Sequence, residues 1–148
     1  MRRISHELMP PEFAYATLDE VIRFFVSNQA EAAKPKTAIT YTSTINGARW
    51  EDIPDAVSLE MYRIVQEAVG NAVKHSGAAE IAVQLRFADG SLRLTVADNG
   101  IFHQGSKRGV GLDSIRRRAA AIGGKVAIAH PEAGGTVVTV EKTTESRN

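Results

Sequence analysis

The chain has 148 residues, of which 43% are hydrophobic and 24% charged, and its 18 Lys and Arg against 17 Asp and Glu leave a formal charge of +1. This composition is typical of one globular domain and excludes a disordered or collagen-like chain. The small charge gives no argument for a nucleic-acid or membrane partner. There is no cysteine, which excludes disulfides and thiolate metal sites, and no apolar run reaches the roughly 18 residues of a membrane-spanning helix. We therefore expect a soluble, cytoplasmic domain.

Hydrophobic periodicity predicts alternating helices and hairpins. Thr17 and Glu20 are spaced as a capping box, Asp89-Gly90 is typical of a hairpin turn, and Gly77 lies where a helix would end. The predicted elements are a helix from Thr17 to Lys34-Pro35, a strand at 37–45, a helix from about Asp55 to His75, strands at 81–87 and 92–96, a helix from about Leu112 to Ile122, and strands at 126–129 and 136–140.

This order of elements predicts an α+β fold. We expect a two-layer sandwich in which a mixed, mostly antiparallel sheet carries its helices on one face. The expected domain covers residues 12–142, the chain is expected to fray from Glu141, and residues 143–148 are expected to form a disordered tail.

One face of the long central helix carries polar residues at helical spacing. Glu67, Asn71 and His75 lie four residues apart, Lys74 lies beside that face, and Gly70 breaks helix propensity mid-element. Amide and carboxylate oxygens suit Mg²⁺ beside nucleotide phosphates, so Asn71 is the candidate metal ligand. Glu67 would orient a metal-bound water or accept a proton during phosphoryl transfer. A merely solvated helix face is the alternative, and His75 fits phosphate contact and helix capping equally well.

Asp98-Asn99-Gly100 follows an alternating strand. The Asp98 carboxylate can accept a hydrogen bond from the exocyclic amine of adenine, whereas guanine would present a carbonyl oxygen there. Gly100 has no Cβ and would let a planar base approach the backbone. The alternative is a simple turn that ends the strand.

Gly109-Val110-Gly111-Leu112 is predicted to open the next helix. Small residues at a helix start expose backbone N–H groups to a phosphate, which the helix dipole also favours. Lys107 and Arg108 lie just upstream and would reach the same phosphates, or would serve only solubility in a loop.

The last candidate motif is Gly134-Gly135-Thr136. Its glycines indicate a turn, and the Thr136 hydroxyl is placed to reach a base or a bridging water.

The four motifs in this order resemble the nucleotide-binding domain shared by histidine kinases, gyrase-type topoisomerases, ninety-kilodalton heat-shock chaperones and a mismatch-repair family. The resemblance covers roughly residues 12–140, and the stretches 62–78 and 109–126 are most similar to sensor histidine kinases that pair with response regulators of the nitrate-response class. It implies a Bergerat-type fold that binds ATP and Mg²⁺. It further implies Asn71 as the Mg²⁺ ligand, Glu67 as the catalytic residue, Asp98 as the adenine reader, and Gly109 and Gly111 in a phosphate loop under a mobile lid.

The implied function is the catalytic module of a two-component kinase, which passes the ATP γ-phosphoryl group to a histidine on a dimerisation helix outside this chain. We expect this chain to be a monomer that does not phosphorylate itself. Membrane anchoring of the full-length protein through other segments stays open. An anti-sigma-factor-type serine kinase and a non-catalytic ATP-gated switch are the alternatives.

Two segments need separate interpretation: the N-terminal residues around His6, and the lid between Gly100 and Gly109. Ser5-His6-Glu7-Leu8 is similar to a phosphoacceptor segment, but the helix predicted after Thr17 leaves no room for a helical hairpin, so residues 1–11 are interpreted as the end of the second dimerisation helix. Phe102 stands where the family often has a second glycine, and the lid between Gly100 and Gly109 is short, which predicts restricted closure.

Overall fold

The computed structural model describes residues 16–101 and 108–144, with three α-helices, one 3-10 turn and five strands among them. The elements are α1 (Leu18–Ala33), β1 (Ala38–Asn46), the 3-10 turn (Trp50–Asp52), α2 (Asp55–His75), β2 (Glu80–Ala88), β3 (Ser91–Asp98), α3 (Arg108–Ala121), β4 (Lys125–Ala129) and β5 (Thr136–Thr143). Among these residues, no helix is both long and apolar enough to cross a bilayer. The predictions for residues 1–11, His6, Phe102 and Lys107 lie outside the described residues.

The predicted start of α1 is confirmed. The Thr17 hydroxyl accepts a hydrogen bond from the Glu20 N–H at 3.3 Å, and the Glu20 carboxylate accepts one from the Thr17 N–H at 2.9 Å. This reciprocal pair satisfies donors that a helix start leaves open. The buried stripe of α1 then packs against β1 and α2.

The predicted hairpin is also confirmed. Asp89 and Gly90 have φ values of 56° and 74°, the two positive angles of a type I′ turn, and Ala88 pairs with Ser91 on either side of them. The turn sets the register, so alternate residues of β2 and β3 face the helices together.

The five strands form one mixed sheet in the order β1-β2-β3-β5-β4, in which only β1 and β2 run parallel. The helices pack on one face, so the predicted two-layer α+β class is confirmed. Between the layers lies a core whose largest fully buried side chains include Leu18, Ile22, Met61, Ile64, Ile81, Leu85, Leu92, Leu94 and Ile115.

Two boundaries differ from the predictions by three or more residues, and one short element was not predicted. Helix α3 begins at Arg108, four residues before the predicted start, so the Gly109-Val110-Gly111 segment lies inside its first turn. Strand β5 continues to Thr143, which pairs with Ser91, and the predicted fraying from Glu141 is therefore wrong. A 3-10 turn, Trp50–Asp52, lies between β1 and α2, where no element was predicted. Pairing with β3 is what extends β5 into its polar end, whereas the 3-10 turn is held by local hydrogen bonds.

Candidate functional site

Helix α2 presents the predicted metal and catalytic residues at the expected spacing. Asn71 is buried, Glu67 is partly buried, and Lys74 and His75 are exposed. A Cβ added to Gly70 would meet no described atom within 4 Å, so packing among the described residues does not explain this glycine.

The end of α2 is joined to the Asp98-Asn99-Gly100 motif through backbone contacts. A Cβ on Gly100 would overlap the carbonyl and hydroxyl oxygens of Ser76, the C-cap residue of α2, and the Ile101 N–H donates to the Ser76 carbonyl at 2.9 Å. Glycine is thus needed here for helix packing, whatever else approaches it. Since Asn71 lies five residues before Ser76, the joint places the motif about 7.5 Å along the helix axis from Asn71.

Asn99 fixes the end of β3 against the start of β2. Its side-chain oxygen accepts hydrogen bonds from the N–H groups of Ala79 and Glu80, both at 2.9 Å. One Asp98 carboxylate oxygen accepts from the Gly100 N–H at 2.9 Å. Asn99, the middle residue of the motif, therefore has a structural role: it holds the end of β3, and with it Asp98, against the start of β2.

Asp98 lies on the helix-facing side of the sheet. It is paired across the strands with Ile81 on one side and Thr136 on the other. Ile81 and Thr136 are both buried, with 1% of each exposed. The sequence-predicted base-binding side chains, Asp98 and Thr136, are therefore brought together on neighbouring strands, on the face that α2 covers.

The Gly134-Gly135 turn packs directly on this motif. A Cβ on Gly135 would overlap the Asp98 carbonyl oxygen and would lie 3.2 Å from the Asn99 Cα, and Gly135 has a φ of +92°. The Thr136 hydroxyl is 3.2 Å from Nδ1 of His130, a residue to which the sequence assigned no role. The turn and the β3 end thus form one tightly packed corner.

The predicted phosphate segment opens α3, as a helix N-terminus that binds phosphate requires. Leu112 is buried with 5% exposed, so its side chain belongs to the core and only its backbone remains for a ligand. The side chains of residues 108–111 lie outside the described set.

Glu67 faces an arginine of α3, which packs against α2. The Nε of Arg118 lies 3.9 Å from Oε1 of Glu67, and Nη1 of the same guanidinium lies 3.2 Å from Oε1 of Glu60. Both atoms of the 3.9 Å pair are buried, and neither has a hydrogen-bond partner among the described residues. Sequence reasoning missed Arg118, although its spacing from the buried residues Ile115 and Ala119 places it at the edge of the packed stripe of α3.

The donor chemistry fits a nucleotide-bound Mg²⁺ and does not fit a protein-only metal cage. Within residues 16–101 and 108–144 there is no cluster of three His, Asp or Glu side chains for a metal. Asn71 would supply one oxygen ligand, and Mg²⁺ takes only one or two protein ligands when phosphates and water complete its shell. The Asp98–Thr136 corner, where the Gly134-Gly135 turn packs on the end of β3, offers a carboxylate from Asp98 and a hydroxyl from Thr136 for hydrogen bonds to a purine edge.

Comparison with known proteins identifies the family to which the chain belongs. Residues 56–146 match the family model described as "Histidine kinase-, DNA gyrase B-, and HSP90-like ATPase". The sensor histidine kinase MctS of Rhizobium johnstonii is 30% identical over 146 residues, covering 95% of this chain and 31% of that protein. The nitrate/nitrite sensor protein NarQ of Escherichia coli is 38% identical over 88 residues, covering 57% of this chain and 16% of that protein. The chain thus spans less than a third of the length of these relatives.

Among solved structures, the ATP-binding domain of PrrB from Mycobacterium tuberculosis superposes with a TM-score of 0.65 at 18% identity, over 88% of this chain and 96% of that one. The fold is therefore the histidine-kinase ATP-binding fold. Because the family model covers more than half of its length, the chain belongs to the histidine kinase-, gyrase B- and Hsp90-like ATPase family, as an ATP-binding catalytic domain of the histidine kinase class.

Proposed function

We propose that this domain binds Mg·ATP between α2 and the Asp98–Thr136 corner. We further propose that it donates the γ-phosphoryl group to a histidine on a dimerisation helix outside this chain. The observation that carries the proposal is the pairing of Asp98 with Thr136 on the helix-facing side of the sheet, joined by the Gly100–Ser76 contact to the helix of Glu67 and Asn71.

Each end of the nucleotide has its own residues in this proposal. The Asp98 carboxylate accepts from the adenine amine, and the Thr136 hydroxyl contacts the ring edge or a bridging water. The N-terminal turn of α3, from Gly109 to Leu112, receives the phosphates through its N–H groups, with Lys107 adding charge. Lys74 and His75 are the phosphate contacts proposed on α2.

Glu67 and Asn71 are the residues that we propose for the phosphoryl-transfer step. Asn71 would hold Mg²⁺, which neutralises charge on the phosphates. In the transfer, the imidazole nitrogen bonds to the γ-phosphorus while the bond to the β–γ bridging oxygen breaks and ADP leaves. Glu67 accepts the proton that the imidazole loses.

A response regulator of the nitrate-response class is the proposed downstream partner. The support is the 38% identity to the nitrate/nitrite sensor NarQ of Escherichia coli over 88 residues.

The function is tested by supplying the purified chain with radiolabelled ATP and separately made dimerisation helices. We expect an acid-labile phosphohistidine on the added helices and none on the chain alone. An acid-stable phosphoserine on a protein substrate would instead indicate a serine kinase, and nucleotide binding without transfer would indicate a switch module.

The binding site is tested with Asp98→Asn. This change leaves one acceptor oxygen where the carboxylate has two, and puts an N–H donor in place of the other. The side chain can then no longer accept from both the Gly100 N–H and the adenine amine. If Mg·ATP binds only the folded state, 100-fold excess over Kd stabilises the wild type by about 2.7 kcal/mol, and Asp98→Asn should lose most of that gain. Asp89→Asn, in the exposed hairpin turn, is the charge-matched control. An undiminished shift in Asp98→Asn would contradict the assignment.

A further inference from the structure

The contact of Arg118, a partly exposed arginine of α3, with Glu67 of α2 is a feature that nucleotide binding alone does not explain. Arg118 is anchored at one end, because its Nη1 is 3.2 Å from the Glu60 carboxylate. At the other end its Nε points at Glu67 across 3.9 Å, and donor and acceptor are both buried without a hydrogen-bond partner among the described residues. Buried, unpaired polar atoms in a folded protein call for an explanation.

A small displacement would bring Nε of Arg118 and Oε1 of Glu67 into a strong hydrogen bond. Charge-assisted N–H···O bonds are about 2.7–2.9 Å long, so a relative shift of about 1 Å between α2 and α3 would satisfy both atoms at once. Such a bond would occupy Oε1 of Glu67 and leave its second oxygen to accept a proton. It would also hold the carboxylate in one orientation, since a flexible side chain without such a bond is poorly oriented.

The same helix connects this arginine to the nucleotide. Helix α3 begins at Arg108, its first turn holds the glycine segment proposed for the phosphates, and Arg118 lies ten residues further along, about 15 Å away. Because a helix moves as a rigid rod over this length, phosphates bound at its first turn would set the position of the guanidinium facing Glu67.

We propose that Arg118 is a positioning residue for the phosphoryl-transfer step, which orients the Glu67 carboxylate when nucleotide occupies the start of α3. The proposal rests on the catalytic assignment of Glu67 made above. Arg118 itself touches neither nucleotide nor acceptor in this scheme, so its loss should change the rate of transfer and not the affinity for nucleotide.

The test is single-turnover transfer from Mg·ATP to the separately made dimerisation helices, with affinity measured in parallel by calorimetry. Arg118→Ala should slow transfer about 10–100-fold, the loss seen when a residue that orients a metal ligand is removed, while the Kd for a non-hydrolysable analogue stays within about twofold. Arg118→Lys keeps the charge and should restore part of the rate. Arg116→Ala removes an exposed arginine of the same helix, paired with Asp113 at 3.4 Å, and should transfer like the wild type.

A double variant separates positioning from a structural role. If Arg118 acts through Glu67, then Arg118→Ala combined with Glu67→Gln is no slower than Glu67→Gln alone. Additive losses, an unchanged rate in Arg118→Ala, or equal losses of rate and affinity would each overturn the inference. If Glu67→Gln transfers at the wild-type rate, the catalytic assignment itself is wrong and the inference falls with it, whereas a slow Glu67→Gln beside a normal Arg118→Ala refutes only the inference.

Discussion

Gly135→Ala is the sharpest test of the corner that holds Asp98. The new Cβ would overlap the Asp98 carbonyl oxygen and lie 3.0 Å from the Asp98 carbonyl carbon and 3.2 Å from the Asn99 Cα. These are backbone atoms that cannot rotate away, so β3 and the start of β5 must separate. Such overpacking costs about 1–3 kcal/mol. The φ of +92° adds a strain of about 1–3 kcal/mol for any residue other than glycine.

Gly134→Ala is the matched control, because it carries the strain without the clash. Its φ is +112°, and its Cβ would lie 3.8 Å from the Gly100 carbonyl oxygen, an ordinary contact. Urea unfolding without nucleotide should therefore show Gly135→Ala to be less stable than Gly134→Ala by about 1–3 kcal/mol, the overpacking cost alone. For a domain of this size that difference lowers Tm by about 2–12 °C.

Nucleotide affinity should follow the same order. Displacing Asp98 by a few tenths of an ångström or more weakens the hydrogen bond to adenine, so Gly135→Ala should bind the Mg·ATP analogue at least about tenfold more weakly than Gly134→Ala, the equivalent of about 1.4 kcal/mol. Equal stability and equal affinity of the two variants would refute the idea that the Gly135 backbone fixes Asp98.

Two further predictions concern the bonds that support the sheet. Asn99→Ala removes the acceptor of two backbone N–H groups and should lower the free energy of unfolding by about 1–3 kcal/mol, measured in urea, whereas Asn99→Asp retains an oxygen there and should lose less. The pKa of Glu141 is held below 4.5, first by the hydrogen bond from Ser91 at 2.7 Å and then by the charge of Arg93. Ser91→Ala should raise that pKa toward 4.5 in an NMR titration, and Ser91→Thr should not.

The sign of the pH dependence follows from the lowered pKa. Glu141 binds fewer protons in the folded than in the unfolded state, so its contribution to stability is present above the unfolded pKa and is lost as the pH falls through the folded one. Ser91→Ala should therefore reduce the acid-dependent part of the stability. An unchanged Glu141 titration in Ser91→Ala would contradict this account, as would equal stabilities for Asn99→Ala and Asn99→Asp.

Local sequence rules predicted the elements well because the relevant signals are local. The Thr17–Glu20 capping box, the Asp89-Gly90 turn and the glycine after α2 each act within a few residues, and each lies where it was predicted. The end of β5 was missed, because pairing with β3 keeps Thr143 in the sheet and that pairing is not encoded by neighbours along the chain.

For the candidate site, the sequence predicted which functional groups would take part, but not which contacts hold them in place. Asp98, Thr136, Glu67 and Asn71 carry functional groups typical of an ATP site, and their motif order is a family signature. Motif order did not predict how these side chains are held. The structure shows that Asn99, the residue after Asp98, joins the end of β3 to the start of β2 through two hydrogen bonds.

By itself, then, the sequence determined the kind of elements, the two-layer class and the family, because periodicity, capping and motif order are written in short segments. Only the tertiary structure decided that β5 lies beside β3, so that Thr136 meets Asp98, and that α3 packs on α2, so that Arg118 faces Glu67. The physical reason is that strand order and helix packing depend on the summed burial of residues far apart in the chain. No local pattern carries that sum.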